Sequence, residues 1–119
     1  GVYADLDNKL LKPLDEIIKP EDTEILHKQV NNWYDTHVLM MSPNNELLYD
    51  CIRIINNNID NKMKGTAINV TGPNVLRKVI GSKKYIPKKI VHQNNYIKVH
   101  NIYHSERNYV YWKDIHYIF

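Results

Sequence analysis

Apolar residues gather along this chain in short runs parted by turn-forming residues, and two stretches keep them at helical spacing. Val2 to Leu6 predicts a short strand that empties into a turn at Asp7-Asn8-Lys9, because Asp and Asn bond their own backbone. Leu10 and Leu11 return toward the core, and Lys12-Pro13 breaks the pattern. Leu14 to Ile18 reads as a single helical turn, with Pro13 at its first position and Pro20 as its stop. Spacing is mixed from Glu24 to Val30, which fits a strand or an irregular segment. His37 to Ser42 is an apolar run ending at Pro43-Asn44-Asn45, the pattern of a buried strand emptying into a loop.

From Glu46 onward Leu47, Leu48, Cys51, Ile52, Ile54, Ile55 and Ile59 recur at three- and four-residue steps. They predict a helix with one apolar face through about Asn58. Gly65 to Val70 reads as a short strand or loop. Val75, Leu76, Val79 and Ile80 then predict a second amphipathic helix, closed by Gly81. Beyond it Tyr85-Ile86, Ile90-Val91, Tyr96 to Val99 and Tyr109 to Trp112 read as short strands. Two strand-loop-helix units followed by β-rich stretches make the fold class mixed α/β.

A chain of 119 residues has room for one small domain and no second. Its 43% hydrophobic and 24% charged residues are the balance of a folding chain, not a disordered one. No apolar run reaches the length of a membrane span, and the first residues lack the layout of a signal peptide. The chain starts within a strand and without an initiator Met, so it is expected to continue upstream. Cys51 is the single cysteine. It excludes an internal disulfide, and its place among Leu48 and Ile55 predicts a buried structural thiol rather than a nucleophile. Residues 1–76 carry a net charge of −4 and residues 77–119 carry +7. A basic segment interleaved with Tyr suits nucleic acid or acidic lipid, the surroundings of an anionic diphosphate, or a solvated face.

The first strand places chemistry at its end. Successive strand side chains point to opposite faces, so Asp5 and Asp7 share one face. Two hard oxygen ligands at that spacing suit Mg²⁺ or Mn²⁺, which takes one or two carboxylates and fills its other positions with water and substrate phosphate. Alone, the same pattern also describes solvated turn carboxylates. Trp33 and Trp112 suit stacking on a sugar or base, or a place in the core. No Gly-rich phosphate loop, cysteine cluster or dinucleotide fingerprint is present.

The run Gly1-Val2-Tyr3-Ala4-Asp5-Leu6-Asp7, followed by Leu11-Lys12-Pro13-Leu14-Asp15, resembles the DXD region of glycosyltransferase family 32. Met41-Ser42-Pro43 and Thr71-Gly72-Pro73-Asn74-Val75-Leu76 resemble downstream landmarks of that family in the same order, so the resemblance covers about residues 1–80. It implies an incomplete GT-A-type fold, a mixed sheet with flanking helices in which residues 1–119 are one partial catalytic domain beginning at the DXD strand. It also implies a nucleotide-sugar donor, a glycan or lipid acceptor, a Mn²⁺ (or Mg²⁺) cofactor, and retaining transfer of a mannosyltransferase-like kind. Asp5 and Asp7 would hold the metal, with Asp5 also near the donor, while Tyr3 and Gly72 would shape the donor site. His92, His100, His104 and His116 are candidates for a further ligand, with His104 or His100 preferred. Thr71 also reads as a cap on the helix begun by Pro73. The resemblance points loosely to a Golgi-type or viral setting, and no nucleic-acid partner is expected from it. The alternative is a non-catalytic module whose basic Tyr-rich segment binds nucleic acid or acidic lipid.

Overall fold

The computed structural model describes residues 1–5, 8–31, 33–82, 85–92 and 95–99, without the side chains of residues 98 and 99. The chain is a small α/β domain. Its strands and helices are, in order, β1 (Val2–Ala4), β2 (Asn8–Leu10), α1 (Leu14–Ile17), β3 (Glu24–Lys28), β4 (Tyr34–Met41), α2 (Glu46–Asp60), α3 (Ala67–Val70), α4 (Pro73–Ser82), β5 (Ile90–His92) and β6 (Ile97–Val99). The main sheet is mixed, in the order β1-β4-β3-β5, and β2 and β6 form a separate antiparallel pair. Strand β4 is antiparallel to both β1 and β3, whereas β5 runs parallel to β3. Among the described residues no helix is long and apolar enough to cross a membrane.

The sheet separates two apolar clusters, as strand alternation requires. Leu26 and Met41 face Leu47, Cys51, Val75, Leu76 and Val79 of α2 and α4. Ile25 and Met40 face the other way, onto Ile17, Val38, Val91 and Ile97. Flanking helices thus cover one face, and α1 with β6 closes the other.

The register between β3 and β4 is broken. Leu26 opposes Leu39 and His27 opposes Asp35, so one step along β3 spans Thr36, His37 and Val38 on β4. Those three residues form a bulge, and a bulge bends its strand and frees backbone groups from the ladder. On the opposite edge of β4 the His37 carbonyl accepts the amide of Asp5 at 2.9 Å, continuing the ladder with β1.

Helix α2 begins where Asn45 caps it, its side-chain oxygen accepting from the Leu48 amide at 3.1 Å. The other end of the same amide donates to Glu24 at 3.0 Å. Glu24 is buried, with 1% of its surface exposed, and it also accepts from the Tyr85 hydroxyl and, at 3.3 Å, from the Lys88 amide. Burial first, then this carboxylate, pushes the Tyr85 phenol well above its ordinary value.

Four local expectations change. Gly65 to Val70 is not a strand: Ala67–Val70 is a short helix in which Val70 alone is buried, and a brief apolar run does not distinguish the two by periodicity. Thr71 does not cap α4, because its hydroxyl donates back to the Ala67 carbonyl at 3.3 Å. Gly81 lies inside the last turn of α4 rather than beyond it, and Tyr85-Ile86 is not a strand. The expected strand at Tyr109 to Trp112 lies outside the described residues.

Because Glu24 satisfies three donors from separate segments, Glu24→Ala is expected to lower unfolding stability by about 3 kcal/mol in denaturant titrations, since each buried donor loses its acceptor. Glu24→Gln, which keeps one acceptor oxygen, is expected to lose less.

Candidate functional site

Strand β1 is at the sheet edge and its residues are exposed. Tyr3 and Asp5 leave it on the same face, and the Tyr3 hydroxyl donates to Asp5 Oδ1 at 2.6 Å. That bond, the nearby negative charge and then slight burial raise the Tyr3 phenol above its ordinary value. Among the described residues Asp5 Oδ2 has no partner, so the carboxylate keeps an open donor atom.

Asn8 fixes the segment that follows. Its side-chain nitrogen donates to the Asp5 carbonyl and to the His37 carbonyl, both at 3.0 Å, and its backbone amide donates to the Asp5 carbonyl at 3.1 Å. The turn after β1 is therefore tied to the β4 bulge. Asp7 lies outside the described residues.

Tyr3 stands in the wall of two neighbouring hollows bounded by β1, β4 and α2. One, of about 510 Å³, is lined by Val2, Leu39, Met41, Leu48, Tyr49 and Ile52 together with the loop from Ser42 to Asn45. The other, of about 330 Å³, runs past Thr36, Cys51 and Ile55 to Thr71 and Gly72. Two residues predicted to shape the donor site, Tyr3 and Gly72, thus line one cavity.

Gly72 has a structural reason of its own: a Cβ there would lie 2.9 Å from both the Ala67 carbonyl oxygen and the Ile68 Cα. The close backbone approach it permits is to α3. Cys51 is buried, and burial, with Asp50 adding to it, pushes its thiol up to about 11, as expected of an inert structural cysteine.

The histidine candidates fare differently. His92 ends β5 at the sheet edge opposite β1, three strand spacings or about 14 Å from β1, so it does not join Asp5. His100, His104 and His116 lie outside the described residues. No group of three His, Cys, Asp or Glu side chains suited to a metal occurs among the described residues. The donor set at Asp5 still fits an ion of the Mg²⁺ or Mn²⁺ type, which needs one or two carboxylates and otherwise takes water and phosphate oxygen.

Several cations of the basic segment already have partners. Arg77 donates to the Tyr34 carbonyl at 2.8 Å and to Asn74 at 2.7 Å, and its guanidinium lies 4.6 Å from the ring centre of Trp33. Trp33 is 55% exposed, so it stacks at the surface rather than filling the core. Lys89 pairs with Asp22 and donates to the Ile17 carbonyl at 2.8 Å, while Lys88 reaches the Thr23 hydroxyl at 3.1 Å.

The pattern of the sequence did not reveal a buried histidine pair beneath the bulge. The rings of His27 and His37 meet edge to face with centroids 4.4 Å apart. Burial, and then the neighbouring His37, push His27 down to about 4. Beside them Asp35 meets His37 Nδ1 at 3.2 Å. Burial acts to raise the Asp35 carboxyl, but the His37 ring and the Thr36 and His37 amides outweigh it and hold it below its ordinary range. The only signal in the sequence was two histidines set among apolar strand residues.

Against family models, curated proteins and solved structures, the chain matches nothing.

The depressed His27 value sets a pH dependence. The unfolded chain binds the proton near 6.5 and the folded chain near 4, so the stability at stake is complete above 6.5 and falls as pH drops toward 4. In metal-free buffer, stability at pH 5 is expected to be about 2 kcal/mol below that at pH 7.5. Denaturant midpoints of the wild type and of His27→Leu measure it, and the variant is expected to lose this slope.

Proposed function

We propose that this chain is part of a metal-dependent, retaining glycosyltransferase of the GT-A type, using a nucleotide-sugar donor and a glycan or lipid acceptor. The observation that carries the reading is that Tyr3 and Gly72, remote in sequence, line one cavity while the Tyr3 hydroxyl donates to Asp5. The resemblance to glycosyltransferase family 32 had marked these residues from their motifs alone, so their proximity in space is a separate support.

In this reading Asp5 and Asp7 hold a Mn²⁺-type ion. Such an ion, when bound, supplies a Lewis acid that offsets charge on the departing nucleoside diphosphate. Tyr3 orients the Asp5 carboxylate through its hydrogen bond, which leaves Oδ2 for the ion. Asn8 holds the Asp5 backbone carbonyl against the end of β1. Leu39, Leu48 and Ile52 give the cavity an apolar wall against which the sugar would rest.

Calorimetry of this chain with GDP and UDP, with and without Mn²⁺, tests the reading. Binding of at least one diphosphate is expected to need Mn²⁺ and to weaken tenfold or more in Asp5→Asn. Binding that ignores both the metal and Asp5 would overturn it, and retention on heparin or DNA unaffected by Asp5→Asn would favour the non-catalytic alternative.

A further inference from the structure

Single exposed apolar side chains are ordinary, but two held outward at one hairpin tip make a patch that faces a definite way. The connection between β3 and β4 has such a tip. Val30 is 74% exposed and Trp33 55%, and among the described large hydrophobic residues only Ile86 is more exposed than Val30. The Gln29 amide donates to the Trp33 carbonyl at 2.8 Å, which closes the hairpin immediately before Val30. Asn31 Oδ1 then accepts the Trp33 amide at 3.1 Å, so the tip is braced from within.

Two cations flank this tip. The Arg77 guanidinium, from α4, lies 4.6 Å from the Trp33 ring centre, while its Nε donates to the Tyr34 carbonyl at 2.8 Å. Lys28 Nζ lies 5.2 Å from the centre of the Tyr34 ring. Among the described residues neither cation forms an ion pair with a carboxylate. Stacking on Arg77 holds the indole at the surface, and the positive charge beside it remains for a partner outside the chain. An indole beside an aliphatic side chain, with basic residues at its flank, suits the interface of a lipid bilayer. There Trp rests at headgroup level, the aliphatic group meets the acyl boundary, and cations meet anionic headgroups. A nucleic acid would answer the charge but would offer nothing to Val30.

We propose that the β3–β4 hairpin tip docks this chain on an anionic lipid bilayer, with Val30 and Trp33 entering the headgroup region and Lys28 and Arg77 facing anionic headgroups. The contact is peripheral and spans nothing. Strands β1 and β3 are both antiparallel to β4, so the tip stands at the end of the sheet to which β1 delivers Asp5. Docking therefore brings that end of the sheet to the membrane. The inference rests on the hairpin alone and holds whatever Asp5 binds.

Flotation with phosphatidylcholine vesicles, with and without about one-third phosphatidylserine, measures partition, and brominated acyl chains report which indole reaches the lipid. The chain has two tryptophans, so the optical readout uses Trp112→Phe, which leaves Trp33 alone. Trp33 emission is expected to shift to the blue and to be quenched by brominated vesicles that contain phosphatidylserine. Partition of the wild type is expected to fall about tenfold when phosphatidylserine is omitted. Val30→Asp is expected to weaken it by about tenfold as well, with an unchanged thermal melt because the position is exposed. The proposal is overturned if the wild type does not float with phosphatidylserine vesicles, or if Val30→Asp floats as well as the wild type. Flotation with Trp33 unquenched would assign the contact to another basic surface and overturn it too, and binding to a DNA duplex but not to vesicles would favour nucleic acid over lipid.

Discussion

A carboxylate taken out of water must find its hydrogen bonds inside the protein, and Glu24 finds them from three places at once. Asn45 brings the start of α2, Tyr85 brings the segment after α4, and Lys88 brings the approach to β5. Since Asn45 caps α2 with its other end, the helix's position is set against the same strand that carries Glu24. The rotation of α2 then decides that Leu47 and Cys51 face inward while Ile52 and Tyr49 remain at the surface. Cys51, Ile52 and Tyr49 stand in the walls of the cavities beside Tyr3. The hollow on one face of the sheet thus depends on a polar contact at the strand's end as much as on the apolar cluster beneath it.

The β4 bulge is the second constraint, and it serves both faces. On its β1 side the His37 carbonyl stays in the regular ladder and accepts from the Asp5 amide and the Asn8 side chain. On its β3 side Thr36 to Val38 leave the ladder, and there the His37 ring lies against His27 and its Nδ1 against Asp35. Bulges are frequent where a sheet must re-aim a side chain.

What could be read from the sequence follows from the range of each interaction. Helices α2 and α4 and the apolar end of β4 were legible, because each carries its periodicity within one short segment. The strand at Val2 to Ala4 was legible for the same reason. The pairing of β2 with β6 was not, since two three-residue strands from opposite ends of the described chain carry no local signature. Nor was the approach of Gly72 to Tyr3, which needs α4 packed on α2 and β4 before it exists. Glu24, His27 and His37 looked like ordinary polar interruptions in apolar strands, because burial and partners are properties of the assembled layers. Asn8 looked like a turn residue; it opens β2 instead, and the second carbonyl it holds belongs to a strand far along the chain.

Strand β1 by itself is poorly equipped to place a carboxylate. It has three exposed residues, and its pairing within the sheet is with β4 alone. An edge strand that short is expected to fray unless something beyond its ladder fastens it. The fastening comes from within: the Asp5 amide and the Asn8 side chain both end on His37, whose ring is buried against His27. The exposed carboxylate is therefore tied to a buried polar residue of the sheet, and the buried polar atoms left without partners lie on that residue, on Asn8 and on His27. Uncompensated polarity at such a point is where a fold departs from its own stability rules for the sake of a site.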